Sequence, residues 1–422
     1  MSALFDDWTS NRPLASLGTN SGAEPLAFQG WHHFKEAFPP ELIRQAIEAS
    51  DSDVVGCFDP FGGSGTTALA AQFLGVPSTT VEVNPFLADV IRAKLAPYES
   101  DALTRAFGQV CRRSRRLAPD AADYFAYAPT TFIQPGADGR WLFDTAVAER
   151  IAAVLSAIDQ EENENHRRFF RVLLGGTLVE ASNVVVSGKG RRYRRNWQKQ
   201  GVDRTSIDDL FARRTTRAIA DVHRFSSRPR PRSTVLLGDA RRVKPRARHS
   251  LAVFSPPYPN SFDYTDVYNI ELWILGYLRD AGENRDLRQA TLSSHVQLTR
   301  EFAPAPAGVI RLDRVLDRLD LIEEELWSPW IPAMIGGYFA DLMQVLDRVD
   351  AALTSGSQCW IVIGDSRYGG VHVPSGRIVV DLATTMGWRV RSAASFRSMR
   401  TSPQHGGRRA LPETLVVLET PS

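Results

Sequence analysis

The chain has 422 residues, more than one ordinary hydrophobic core accommodates, so a large domain with a substantial insertion, or two domains, is expected. Hydrophobic residues make up 43% and charged residues 23%, a globular balance that excludes a disordered chain. The net charge of +2 excludes a uniformly basic protein, yet arginines gather at Arg112 to Arg116, Arg191 to Arg195 and Arg213 to Arg248, while acids gather at Glu161 to Glu164 and Glu323 to Glu325. One basic face on a nearly neutral body is therefore expected, the footprint of a nucleic-acid binder.

Residues 1–30 read as an irregular arm. Pro39 and Pro40 then open a helix whose buried stripe is Leu42, Ile43 and Ile47. Val54 to Phe58 reads as a strand ending at Asp59-Pro60, followed by a Gly-rich turn and a helix over Thr67 to Leu74. Val81 to Val83 reads as the next strand and Pro85 to Leu95 as the next helix. Strand, turn, helix, strand is the opening of a βαβ unit and implies a parallel sheet. From residue 97 to 232 that alternation fades into a basic, mainly helical insertion, with helices at Asp144 to Ile158 and His166 to Val179. A linker-like Ser-Ser-Arg-Pro-Arg-Pro-Arg run closes it. Strands resume at Thr234 to Leu237, Leu251 to Phe254, Cys359 to Gly364 and Thr414 to Leu418, with a second polar insertion at about 279–332. The organisation expected is thus 1–96 and 233–422 forming one catalytic domain around the 97–232 insertion.

Cys57, Cys111 and Cys359 are widely separated and form no CxxC pair, which fits a reducing cytoplasm. No apolar stretch is long enough to span a bilayer, and the first residues lack a basic segment followed by an apolar run. A cytoplasmic protein is expected.

The turn Asp59-Pro60-Phe61-Gly62-Gly63-Ser64-Gly65-Thr66-Thr67 lies between a strand and a helix. Its glycines permit a sharp turn and close approach of a ligand to the helix N-terminus. Glu82, ending the next strand, can accept hydrogen bonds from both hydroxyls of a ribose. Together they fit an adenosine-bearing cofactor. No Lys-Ser or Lys-Thr closes a Walker phosphate loop, and the FxGxG register is not the dinucleotide GxGxxG. Asp239, after the strand ending at Leu237, is placed to accept from an adenine amino group, the alternative being a loop aspartate or helix cap.

Ser255-Pro256-Pro257-Tyr258 follows an apolar strand, and two prolines there stiffen the loop and end the ladder. An exocyclic amino nitrogen is a poor nucleophile because its lone pair is delocalised into the ring. Ser255 Oγ and the Pro256 carbonyl could hold its two protons and aim the lone pair at a methyl donor, while Tyr258 stacks on a base extruded from the duplex. This chemistry needs neither a covalent nucleophile nor a metal, and no Pro-Cys pair of the kind used for attack on cytosine C5 occurs.

These residues resemble the DNA amino-methyltransferase family, of N4-cytosine and N6-adenine type. Asp59 to Thr67 is similar to its cofactor motif, Glu82 to its ribose-binding acid and Ser255 to Tyr258 to its catalytic motif. Trp31 to Pro40 is similar to the segment that packs beside the cofactor, which implicates Lys35 and Phe38. Ile361 to Ser366 looks like the strand and loop that shape the base pocket. The resemblance implies a Rossmann-like α/β sheet with helices on both faces, S-adenosyl-L-methionine as cofactor and double-stranded DNA as substrate. It also implies a cognate restriction endonuclease or other defence-system proteins as partners, with a monomer or homodimer as the working unit. Ser at position 255 is similar to the N4-cytosine subgroup; adenine N6 remains the alternative. An RNA amino-methyltransferase and a catalytically silent nucleic-acid binder are the other readings. The stretch Lys189, Arg191, Arg192, Arg194 and Arg195, interleaved with Tyr193 and Trp197, is expected to contact DNA phosphates, the alternative being a solvated basic loop.

Overall fold

The computed structural model describes residues 3–12, 26–34, 37–187, 190–200, 205–399 and 411–421. Its strands are β1 (Cys57–Asp59), β2 (Ser78–Glu82), β3 (Val184–Ser187), β4 (Gly190–Tyr193), β5 (Ser233–Leu237), β6 (His249–Phe254), β7 (Leu353–Gly364), β8 (Ser366–Tyr368), β9 (Val371–Val373), β10 (Arg389–Met399) and β11 (Leu411–Glu419). Seven of them form one sheet in the order β10-β11-β7-β6-β1-β2-β5. The pairs β1–β2, β1–β6, β2–β5 and β6–β7 are parallel, while β11 runs antiparallel to both β7 and β10. This is a mostly parallel, Rossmann-like α/β sheet, of which the βαβ opening implied the parallel part.

The chain lays down β1, β2 and β5 outward in one direction, then returns beside β1 with β6 and continues the other way. The strand order therefore reverses between β1 and β6, and the carboxyl ends of parallel strands open a crevice at such a point. Asp59, Glu82, Asp239 and Ser255 all sit at or just beyond carboxyl ends of β1, β2, β5 and β6. Because β11 enters from the opposite direction, its first residues, including Glu413, arrive at the same edge.

Apolar residues cover both faces of the sheet. On one face Cys57, Leu251, Val253, Trp360 and Val362 share a core with Leu69, Phe73, Phe86 and Ile151, and with Phe169 and Phe170. The long helices at Thr145–Asp159, Glu164–Leu178 and Thr205–Arg224 thus pack into the core of this sheet, beside the βα helices Thr66–Phe73 and Pro85–Leu95. On the other face Phe58, Val81, Ala252, Phe254, Ile361 and Ile363 pack against helices Ile310–Asp320, Ile331–Ala352 and Ser375–Thr385.

Strands expected from sequence at residues 234–237, 251–254, 359–364 and 414–418 all occur, mostly with longer ends. Strand β10 is not legible in the sequence. It is an edge strand whose residues Arg391 to Ser395 are exposed, so it lacks the apolar alternation that marks a half-buried strand. The hairpin β3–β4 is likewise unannounced; it pairs Val184 with Tyr193 inside the helical insertion.

Candidate active site

A glycine-dependent turn builds one wall of the site. Asp59 Oδ1 accepts from the Phe61 amide at 2.8 Å, folding the chain back as it leaves β1. The Gly62 amide donates 2.8 Å to the Val81 carbonyl, locking the turn to β2. A Cβ at Gly62 would lie 2.3 Å from Thr80 Cγ2 and 2.7 Å from Ile91 Cδ1. Gly65, at φ +82°, caps the following helix, and Gly63 is also left-handed at φ +51°. Glycine is required here by space and by backbone angle together.

Glu82 closes the turn from the next strand. Its Oε2 accepts from the Gly63 amide at 2.7 Å and its Oε1 from the Asn84 amide at 2.8 Å. Each oxygen keeps a lone pair for a further donor. Burial pushes the Glu82 carboxyl up to about 7, against the pull of the Asn84 and Gly63 amides. Burial likewise raises Asp59 to about 7, opposed by the Thr67 hydroxyl and the Phe61 amide.

The proline-rich loop forms the facing wall. Ser255 Oγ donates to Tyr258 Oη at 3.1 Å, and Tyr258 Oη donates to Glu413 Oε1 at 2.5 Å. Arg397 pairs with Glu413 from the neighbouring strand, in direct register across the β10–β11 ladder. Burial and the Glu413 charge hold the Tyr258 phenol protonated, well above its ordinary value.

Both walls enclose one cavity of about 350 Å³. Phe38, Asp59, Phe61, Gly62, Gly63, Ser64, Thr66, Glu82, Asp239, Ser255, Pro256, Pro257 and Tyr258 all line it. Gly65 stands behind the lining as the helix cap. Lys35, expected beside the cofactor, lies outside the described residues. Asp239 lines the cavity but holds Arg241, whose Nε donates to Oδ1 at 2.9 Å and whose Nη2 donates to Oδ2 at 2.8 Å; Arg241 in turn reaches Asp341. The strand end Ile361 to Ser366 contributes nothing to the lining among the described residues; Arg397 and Glu413, on the next two strands, stand there instead.

Residues 6–92, which include the glycine turn and Glu82, match the family described as DNA methylase. The chain is 23% identical over 98% of its length to the Type II methyltransferase M.BsoBI of Geobacillus stearothermophilus, covering 89% of that protein. It is 25% identical over 93% of its length to the Type II methyltransferase M.AvaI of a Nostoc species, covering 86% of it. By its first 92 residues the chain is similar to the DNA methylase family, and over nearly its whole length to Type II methyltransferases. Among solved structures, the rRNA methyltransferase aviRa of Streptomyces viridochromogenes overlaps 91% of this chain and 85% of its own at 10% identity, with a TM-score of only 0.30.

Three features of this methyltransferase are not legible in its sequence. Lys94 is fully buried beneath the glycine turn, and desolvation pulls its amine down to about 7. Glu413 and Arg397 reach the Ser255–Tyr258 loop from strands at the far end of the chain. His295, buried at the cavity wall, comes from the second insertion. Each is a lone residue in an ordinary local context, and no spacing marks it.

The basic segment divides. Arg194 donates to the carbonyls of Ser182 at 2.9 Å, Val179 at 3.1 Å and Glu180 at 3.1 Å, tying the hairpin to the end of a helix. Arg191 reaches Asn269 at 2.6 Å and Asp266 at 3.1 Å, joining the hairpin to the segment after the Ser255–Tyr258 loop. Arg192 and Arg195 are exposed, and Lys189 lies outside the described residues. The hairpin adjoins the cavity, since Val186 packs with Phe262 and Tyr264 of its lining.

Proposed function

We propose that the protein transfers a methyl group from S-adenosyl-L-methionine to the N4 amino group of cytosine in duplex DNA, with the target base extruded into the cavity. The observation that carries this reading is that the glycine turn with Glu82 and the Ser255–Tyr258 loop, 173 residues apart between Glu82 and Ser255, line one cavity of about 350 Å³.

The residues fit the cofactor. A turn where Gly62 cannot carry a Cβ admits close approach of a ligand to the backbone, and the Glu82 carboxylate keeps acceptor capacity for two ribose hydroxyls. Phe61, Val83, Leu87 and Ala240 supply an apolar wall for a purine. When bound, the sulfonium donor supplies an electrophilic methyl group. The chain's own residues bind the amine and direct it. Ser255, whose proton is committed to Tyr258, presents lone pairs to one amino proton, and the Pro256 carbonyl takes the other. Rehybridised in this way, the nitrogen directs its lone pair at the methyl carbon.

Serine offers a shorter acceptor than aspartate or asparagine at this position, which favours cytosine. Arg192 and Arg195, exposed on the hairpin beside the cavity, are suited to duplex phosphates. A cytoplasmic setting and a cognate restriction endonuclease as partner accompany this reading.

The test is to methylate unmodified DNA with the purified protein, digest it to nucleosides and weigh the modified one. N4-methylcytosine is expected. N6-methyladenine would replace the base assignment, and transfer to total RNA but not to DNA would overturn the reading.

A further inference from the structure

The Ser255–Tyr258–Glu413–Arg397 chain has a direction. Tyr258 Oη stands between a hydroxyl 3.1 Å away and a carboxylate 2.5 Å away, and a carboxylate only accepts. The phenol therefore donates to Glu413, and Ser255 donates to the phenol. This chain of hydrogen bonds uses neither lone pair of Ser255, which lines the cavity. Glu413 is held in turn: Arg397 Nη2 donates to Oε1 at 3.2 Å, and Arg397 Nε binds Oε2. Glu413 is 2% exposed in its side chain and sits on the antiparallel strand, paired with Gly364 on one side and Arg397 on the other. The chain of hydrogen bonds runs from the buried Glu413–Arg397 pair to Ser255 at the cavity lining.

Resting on the reading of this site as an amino-methyltransferase, we propose that Glu413 is a positioning residue for the reaction. Acting through Tyr258, it fixes Ser255 Oγ as an acceptor and receives the proton that the methylated amine must lose. The nitrogen lone pair forms the N–CH3 bond as the S–CH3 bond breaks, its electron pair staying on sulfur, which becomes a neutral thioether. The nitrogen, now positive, gives one proton to Ser255 Oγ. Ser255 passes its own proton to Tyr258 Oη, and Tyr258 passes its own to the Glu413 carboxylate. Donor charge disappears from sulfur and one proton appears on Glu413, which returns it to water after the product leaves.

The experiment compares the wild type with Tyr258→Phe, Glu413→Gln and the double variant. Three quantities are read: the single-turnover rate of labelled methyl transfer to unmodified phage DNA, the affinity for S-adenosylhomocysteine by calorimetry, and the thermal midpoint. Tyr258→Phe keeps the ring and the Glu413–Arg397 pair but cuts the relay, so it remains informative should Glu413→Gln fold poorly. Each single variant is expected to lose about 100-fold in rate, the low end of what positioned proton transfer contributes. S-adenosylhomocysteine affinity should stay within about twofold, and the double variant should be no slower than the worse single one, because the residues act as one unit. A Tyr258→Phe rate within about twofold of the wild type, or losses that multiply in the double variant, overturns the relay and leaves the amino-methyltransferase reading standing. A wild type that methylates no DNA overturns both.

Discussion

The side-chain nitrogen of Lys94 donates to the Ser64 carbonyl at 2.7 Å, from directly beneath the glycine turn that lines the cavity. It also donates to Gln29 Oε1 at 2.9 Å, so both acceptors are neutral. A buried amine without an opposing charge is costly, and its depressed protonation reflects that cost. Its place under the turn suits it to holding the loop's backbone in a ligand-ready shape.

Lys94→Met should therefore leave a folded protein whose affinity for S-adenosylhomocysteine falls about tenfold, the effect of one strong hydrogen bond. The pH dependence has a definite sign. Unfolded Lys94 keeps its proton up to its ordinary value of 10.5, whereas the folded amine releases it at about 7. The unfolded chain thus binds more protons between those limits, and stability rises with pH there, by at most about 1.4 kcal/mol per unit. Urea midpoints at pH 7 and pH 10 should show the wild type gaining on Lys94→Met. Parallel behaviour of the two would rule out Lys94 as the titrating group.

Glu82 gives a second pH prediction, of opposite sign for the empty protein. Its carboxyl is raised from 4.5 to about 7, so the folded state binds the extra proton. That stability is fully present below pH 4.5 and is lost as pH rises through 7. Ribose hydroxyls donate better to the carboxylate, so S-adenosylhomocysteine affinity should improve as pH rises through 7, by up to about tenfold per unit below it. Glu82→Gln should bind weakly and without this dependence. Persistence of the slope in Glu82→Gln would assign it elsewhere, with Asp59 the nearest group of similar protonation.

Gly62→Ala should be damaging well beyond a surface change. The new methyl would sit 2.3 Å from Thr80 Cγ2 and 2.7 Å from Ile91 Cδ1, both in packed elements. Overpacking of this kind costs about 1–3 kcal/mol. A lower thermal midpoint together with loss of S-adenosylhomocysteine binding is expected. Wild-type binding in the variant would show that the turn can move away without cost to the site.

The hairpin arginines should separate into two behaviours. Replacing Arg192 and Arg195 by Gln should weaken binding to all duplexes alike and reduce the salt slope by about 1 for each phosphate no longer neutralised. Stability should be unchanged, since both side chains are exposed. Arg194→Ala should instead lower the thermal midpoint, because the three hydrogen bonds that tie the hairpin to the helix end are lost. Unaltered salt dependence in the Arg192 and Arg195 double variant would remove the hairpin from the DNA interface.

Local signals in the chain determined the two loops and the sheet that carries them. The glycine turn, Glu82 at a strand end and the paired prolines are each written in a few consecutive residues, because turn geometry and strand ends are set by local backbone chemistry. The order of the strands, with the antiparallel β11 set between β7 and the unannounced β10, came only with the fold. Only the tertiary structure decided what stands behind those loops. Lys94 under the turn, Glu413 and Arg397 behind Tyr258, and Arg194 bracing a hairpin are single polar residues whose partners lie 12 to 155 positions away. Nothing local distinguishes them from solvated surface charges, since burial and pairing come into being only when the sheet edge assembles.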